Sequence, residues 1–187
     1  MFMGFTLDYW MLNVIEMFER LAFYLVRSVV AIYIMQADDP HGLHFTAADK
    51  GMIYSLWFVF QSLLPTFTGG YADRYGYKRM FLASAVVMAP AYILLAAPRN
   101  FWGFLGVYFL VAVGHGMFKP VVISTVAKTT NEQTGSMGFG IFYMMVNIGG
   151  FLGPIVAGVV RGWDWKYVFW ASAGWIVVMG VACLLFY

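Results

Sequence analysis

Charge is scarce in this chain. Of 187 residues only 11% are charged, while 62% are hydrophobic. A soluble domain carries closer to about 25% charged residues. So few polar groups could not cover a water-facing surface, and lipid becomes the expected solvent. Cysteine occurs once, as Cys183 in an apolar run, which excludes an intrachain disulfide or thiolate metal site and leaves the compartment undecided. Histidine occurs three times, scattered, and no H-E-x-x-H pattern is present. With one cysteine and no clustered ligands, the sequence offers neither the catalytic dyad nor the metal centre of an intramembrane enzyme. No catalytic residue, metal or cofactor is expected. The net charge of +2 favours neither nucleic acid nor an acidic partner.

What is plentiful are long apolar runs. Crossing roughly 30 Å of hydrocarbon takes about 20 mostly apolar residues in a helix. Six segments meet this, at approximately 11–35, 47–70, 80–97, 102–125, 138–160 and 167–187. Between them lie turn-rich or charged stretches: Gln36-Ala-Asp-Asp-Pro-His-Gly-Leu-His44, Asp73-Arg-Tyr-Gly-Tyr-Lys-Arg79 and Lys128-Thr-Thr-Asn-Glu-Gln-Thr-Gly135. His41 and His44 read as solvated loop residues. Only helices and closed barrels satisfy their backbone in lipid, and these runs are too long for barrel strands. An all-α membrane protein of six transmembrane helices is therefore predicted. The first apolar stretch carries charges and no cleavage-like segment follows it, so it reads as a first span rather than a signal peptide. Aromatic residues at 20% and 20 glycines suit interface anchoring and close helix packing. Trp163 and Trp165, flanking Asp164, read as part of an interfacial belt.

With the amino terminus inside, Arg74, Lys78, Arg79 and Lys128 fall on the cytoplasmic side, against Lys50, Arg99, Arg161 and Lys166 outside. The clustered basic trio at 74–79 and the acidic pair Asp38/Asp39 outside tilt the reading towards a cytoplasmic amino terminus, in a plasma (inner) membrane. A faint repeat is also present. Pro65-xxx-Gly69 and Pro154-xxx-Gly158 are offset by 89 residues, as are Tyr54 and Tyr143. Matched positions in the second and fifth segments suit two three-helix units, the second inverted because three is odd.

The strongest functional signal lies in the first span. At about 100° per residue, Glu16, Arg20, Tyr24 and Arg27 fall within roughly 80° of one another, flanked by Glu19 and Phe23. Leu21, Leu25 and Phe18 lie opposite. Ionisable groups at the centre of a span cost roughly 2.5 kcal/mol or more each when unpaired, so they must face a polar cavity or each other. A salt-bridged helix end near the headgroups would explain Glu16 but not Arg27, about 16 residues into the span. The fourth span adds Gly114-His-Gly116-Met-Phe-Lys119-Pro120. Pro120 should bend or open the helix. Lys119 sits about 9 Å from the cytoplasmic end, against about 8 to 14 Å for Glu16 to Arg20. The depths match, as pairing requires. Snorkelling to the interface is the competing reading for Lys119, and His115 reads as a packing or hydrogen-bonding residue. Two carboxylates facing Arg20, Arg27 and Lys119 leave one surplus positive charge, which favours an anionic group such as a carboxylate. A substrate that drew Arg20 or Lys119 away from a glutamate would raise that glutamate's affinity for a proton.

At these residues the chain resembles the proton-dependent oligopeptide transporter (POT/PTR) family of the major facilitator superfamily. Glu16-x-x-Glu19-Arg20 is similar to its ExxER motif, and Gly114-x-Gly116-x-x-Lys119-Pro120 to its GxGxxKP element. Phe142-Tyr143-Met-Met-Val-Asn147-Ile-Gly149 is similar to its FYxxIN-x-G pattern. Gly69-Gly-Tyr-Ala-Asp73-Arg74-Tyr-Gly76-Tyr-Lys78-Arg79 resembles the superfamily-wide loop between helices 2 and 3. The resemblance implies proton-coupled symport of di- and tripeptides by alternating access, with residues 1–187 forming the amino-terminal half of a major facilitator fold. Glu16, Glu19, Arg20 and Lys119 would serve proton coupling. Arg20, Tyr24, Arg27, Lys119 and Asn147 would meet the substrate. Gly69, Asp73, Arg74, Gly76, Lys78 and Arg79 would form a conformational latch.

Two departures qualify this. The family's paired tyrosines are here Phe23-Tyr24, and the family has twelve or more helices. Tyr187 closes the chain inside an apolar run, which reads as truncation with the carboxyl-terminal half absent. That half, or self-association, is expected for transport, alongside protons, a small peptide substrate and the bilayer as partners. The alternatives are a transporter of another organic anion or nitrate, and a non-transporting half acting as an assembly subunit.

Overall fold

The computed structural model describes residues 4–37 and 41–186, so Asp38/Asp39 and Tyr187 lie outside the described residues. Seven helices follow in chain order: α1 (Leu7–Arg27), α2 (Val30–Met35), α3 (Ala47–Tyr75), α4 (Tyr77–Leu94), α5 (Phe101–Thr129), α6 (Gly135–Arg161) and α7 (Trp165–Phe186). No strand occurs among the described residues. α1 and α2 together make the first span, so six spans form the bundle.

Local chemistry sets the boundaries. Thr6 caps α1 by accepting from Tyr9 N at 3.3 Å, so the helix begins at Leu7 instead of near residue 11. The break between α1 and α2 follows Ser28, whose hydroxyl donates back to Leu25 O at 3.2 Å. Thr46 and Asp49 form a reciprocal capping box on α3. Asn100 accepts from Gly103 N at 2.6 Å to start α5. Gly76, at φ +89°, turns the chain from α3 into α4. α3 therefore runs to Tyr75 and α4 starts at Tyr77, so the basic cluster is helical on either side of one residue instead of a loop. By length and composition alone α5, α6 and α7 qualify as membrane spans. α1, α3 and α4 are of comparable length but carry more charge or lower hydropathy.

Pro120 was expected to bend or open the fourth span, yet α5 runs unbroken from Phe101 to Thr129. Proline cannot donate to the carbonyl four residues back, which leaves Gly116 O without its helical partner. Thr68 of α3 donates its hydroxyl to that oxygen at 2.5 Å. A neighbouring helix thus satisfies the group that the proline frees.

The packing carries the inverted repeat. α1 packs chiefly on α6 and α7, α5 on α3 and α4, and α4 on α7. Exchanging α1 with α5, α3 with α6 and α4 with α7 reproduces the same set of pairs. The helices meet at small residues. A Cβ on Gly153 of α6 would come within 2.8 Å of Leu25 N, and one on Gly116 of α5 within 2.5 Å of Leu64 Cβ. Leu64 precedes Gly153 by 89 residues, the offset of the proline–glycine pairs. Cross-helix hydrogen bonds reinforce the α1 contacts: Tyr9 Oη donates to Gly138 O at 2.7 Å and Ser172 Oγ to Ala22 O at 3.0 Å. α3 and α6 leave large apolar side chains exposed, among them Phe58, Leu63 and Phe67 on α3 and Tyr143, Phe151 and Val159 on α6.

Candidate functional site

Glu16, Glu19 and Arg20 are all buried. Arg20 Nε lies 3.2 Å from Glu16 Oε1 and 2.5 Å from Glu19 Oε2, so one guanidinium bridges both carboxylates. The spacing of four residues between Glu16 and Arg20 is what brings them together on one face of α1. Arg20 also lies over the Phe23 ring, 5.1 Å from its centroid. Its Nη2 is buried with no hydrogen-bond partner.

Glu16 and Arg20 open onto a cavity of about 310 Å³ that Lys119 of α5 also lines, facing Phe139, Phe142, Tyr143 and Val146 of α6. Among the described residues Lys119 makes no ion pair. It faces the cavity beside the Glu16–Arg20 pair without closing on either glutamate. This pocket combines two cations, one accessible carboxylate and an aromatic wall, which suits a small anion carrying an apolar portion. A cavity of about 380 Å³ at the opposite end is lined by Arg99, Asp164 and Lys166, away from the glutamates.

Glu19 is sealed from that cavity. Its Oε1 lies in direct contact with His115 Nδ1, and His115 Nε2 lies 3.0 Å from Tyr92 Oη. His115 and Tyr92 are buried. The sequence set His115 apart as a packing or hydrogen-bonding residue, and the structure makes it a direct neighbour of Glu19. Tyr92 carried no sequence signal, because its partner is 23 residues away on another helix.

Arg27 departs from the expected single polar face. It stacks over Tyr54 at 4.5 Å and lines a separate cavity of about 280 Å³ with Tyr54, Ser55, Trp57 and Phe58. An aromatic stack stands between it and Arg20: Phe23 on Trp57 at 6.1 Å, and Trp57 on Tyr108 at 4.9 Å. The surplus positive charge assigned to one cavity is therefore divided between two. Tyr24 packs beside Gly150 of α6 and does not line the Glu16–Arg20 cavity. Asn147 is exposed on α6, its amide donating to Tyr143 O at 2.8 Å. Tyr143 and Val146 line the cavity in its place.

The residues expected to form a latch gather at one end of the bundle. Asp73 accepts from Tyr77 Oη at 2.7 Å and lies 3.6 Å from Lys128 Nζ, while Lys128 also contacts the Tyr77 hydroxyl. Lys78 donates to Leu184 O at 3.3 Å, tying α4 to the end of α7. Arg74 lies over Tyr75, and Arg79 is exposed. A Cβ on Gly69 would sit 3.9 Å from Pro120, in ordinary contact.

Six spans in two inverted units thus enclose a bridged carboxylate pair and a lysine-lined cavity within the bundle. The sequence profile of the Major Facilitator Superfamily matches residues 12–187. The chain belongs to that superfamily, and its relatives include POT-family peptide transporters. It is 32% identical over 151 residues to the uncharacterized transporter YclF of Bacillus subtilis, covering 78% of this chain and 30% of that protein. It is 27% identical over 150 residues to the di-/tripeptide transporter of Lactococcus lactis, with the same coverage. It is 31% identical over 166 residues to the multidrug resistance protein MdtG of Enterobacter lignolyticus, covering 88% of this chain and 39% of that one. The crystal structure of a POT family transporter in complex with 5-aminolevulinic acid superposes with a TM-score of 0.86 at 26% identity, over 95% of this chain and 37% of that one. The chain thus spans about a third of the length of the relatives it matches.

Proposed function

We propose that this chain supplies the proton-coupling and carboxylate-binding half of a symporter that moves di- and tripeptides with protons by alternating access. The observation that carries this reading is Arg20, bridging Glu16 and Glu19 while facing a cavity that Lys119 shares. A peptide carboxylate entering the cavity meets Lys119 and the edge of the Arg20 guanidinium that lines it. Each unit of charge that Arg20 turns towards the substrate is withdrawn from Glu16, and a less compensated carboxylate in low dielectric takes up a proton. Release of substrate returns Arg20 to Glu16 and expels the proton. Arg27, with Tyr54 and Trp57, forms a second substrate contact further along α1. Tyr24 and Asn147 come to line the path as the helices move. The Asp73–Tyr77–Lys128 cluster, with Gly69, Arg74, Gly76, Lys78 and Arg79, acts as the latch at the cytoplasmic end of a protein embedded in the plasma (inner) membrane. The exposed apolar faces of α3 and α6 meet a complementary half, supplied by further chain or by a second copy.

Proteoliposomes made with the protein are given a labelled dipeptide with and without an inward proton gradient. Gradient-dependent accumulation supports the reading, and accumulation indifferent to the gradient refutes the coupling. The cavity's polar groups recognise an anion rather than a peptide bond, and the YclF and MdtG matches leave substrate open. Competition by organic anions and nitrate is therefore measured alongside. Displacement by these in preference to peptides would make the chain part of an organic-anion or nitrate carrier. Absence of uptake of any of them would favour a non-transporting assembly subunit.

A further inference from the structure

The two glutamates of α1 are not equivalent, and the residue that separates their roles is His115. The geometry points to His115 as a positioning residue: set between Glu19 and the Tyr92 hydroxyl, the imidazole keeps a hydrogen on Nδ1, and that N–H, with Arg20, holds Glu19 as a permanent carboxylate, so that the carried proton resides on Glu16. This rests on the proton-coupling reading above and assigns the proton within it.

The charged and titratable groups around Glu19 are Arg20 and Glu16 on α1, His115 and Lys119 on α5, and Tyr92 on α4. α6 brings Gly149 to this stretch of α1, and α7 brings Ser172 and Trp175. Glu19 Oε2 accepts from Arg20 Nε at 2.5 Å, whereas Oε1 lies in direct contact with His115 Nδ1 and neither of those two atoms makes a hydrogen bond elsewhere. An imidazole with its hydrogen on Nε2 would turn a lone pair towards Oε1, two acceptors in contact in a buried site. With the hydrogen on Nδ1, Nε2 is left to accept from the Tyr92 hydroxyl at 3.0 Å. Glu19, which can only accept, thereby selects the form with its hydrogen on Nδ1, and the Tyr92 hydroxyl, able to donate or accept, holds the other nitrogen. The ring has little freedom to leave. Phe23 meets it edge-on at 4.9 Å, and the flanking Gly114 and Gly116 bring α5 against Met88 and Leu64 with no room for a Cβ. Glu16 has one ion-pair contact, to Arg20 Nε at 3.2 Å, and an open cavity beside it. Of the two carboxylates, only Glu16 has both space for a proton and a route by which it arrives.

The test reads carboxyl groups directly, in the chain reconstituted in lipid. Infrared difference spectra between alkaline and acidic buffer report each protonated carboxylic acid, and Glu→Gln and Asp→Asn substitutions assign it among the nine acidic residues. The expected result is an intramembrane carboxyl band that Glu16→Gln abolishes and Glu19→Gln leaves in place. His115→Leu adds a second band, lost again when combined with Glu19→Gln, whereas His115→Gln, which keeps an N–H donor, does not add it. Should His115→Leu fail to fold, Tyr92→Phe removes one oxygen from the same chain and brings up the Glu19 band at reduced amplitude. A native band assigned to Glu19, or spectra unchanged in both His115→Leu and Tyr92→Phe, overturns the inference. Because this readout needs no transport, a native protein that shows the expected bands but no gradient-driven peptide uptake refutes the functional reading and leaves the His115 assignment standing.

Discussion

Placing Ala at Gly149 and, separately, at Gly158 puts the same methyl group on the same helix in two different environments. A Cβ on Gly149 would lie 2.7 Å from Arg20 Cβ and from Met17 O, and 3.0 Å from Leu21 N. Two of those atoms are α1 backbone, so no side-chain rotation relieves the overlap. A Cβ on Gly158 meets nothing within 4 Å. Overpacking of this kind costs roughly 1–3 kcal/mol, and rigid backbone neighbours place Gly149→Ala near the upper part of that range. Both substitutions gain up to about 1 kcal/mol of helix propensity. Gly149→Ala should therefore destabilise while Gly158→Ala is neutral or stabilising; the propensity gain cancels between them, leaving a separation of about 2–3 kcal/mol. For a chain of this length that is on the order of 10 °C in apparent Tm, read by thermal unfolding in detergent or lipid. Gly149→Ala should also weaken anion-dependent stabilisation, because it pushes directly on the residue carrying Arg20. Equal melting temperatures for the two variants would show that α1 and α6 do not cross closely at Gly149.

Replacing both Glu16 and Glu19 by Gln should abolish proton-driven uptake while leaving exchange of internal for external substrate; pH-driven accumulation surviving both changes would refute the coupling. Arg20→Gln leaves two buried carboxylates without their shared cation, and loss of one partner from a buried pair costs about 3–5 kcal/mol. It should unfold at markedly lower temperature than Lys119→Gln, which breaks no ion pair among the described residues, and a comparison of their melting curves decides. Thr68→Val keeps the shape of the side chain but strips Gly116 O of its donor, for a loss of roughly 1–3 kcal/mol. Combining it with Pro120→Ala, which restores the helical N–H, should recover most of that loss, and failure to recover would mean the Thr68 hydroxyl acts elsewhere.

The polar stripe of α1 was legible because an α-helix converts sequence spacing into direction: positions 16, 20, 24 and 27 are bound to share a face, and a buried Glu and Arg one turn apart must pair. Lys119 was legible by depth alone. What the spacing could not show is how far along that face one cavity extends. Arg27 shares the angle of Arg20 but is divided from it by a stack that draws Phe23, Trp57 and Tyr108 from three helices. His115 was hidden for a related reason. Between two glycines it reads as a packing residue, and its role depends on Glu19 and Tyr92, which tertiary packing alone brings to its two nitrogens. The interruption after Arg27 was masked by an apolar run that continues through it, since hydropathy reports the solvent and not the hydrogen-bond pattern.

The symmetry of the scaffold explains why the charges collect where they do. Under the exchange that maps the packing onto itself, α1 and α5 are partners, each flanked by one long helix of the opposite unit and by one member of the α4–α7 pair. α1 and α5 are thus the helices of the two units that approach each other around the interior. Charges on α3 or α6 would have to be matched by whatever covers their exposed faces, whereas charges on α1 and α5 can be matched within this chain. The cluster obeys that division: α1 supplies Glu16, Glu19 and Arg20, and α5 supplies His115 and Lys119. The fold repeats but the chemistry does not, since one partner helix carries the acids and the other the neutral donor and the free amine. An inverted pair of identical helices would set like charges against each other. Divergence between the two units is what converts a symmetric frame into a site with one sealed carboxylate and one that faces the cavity.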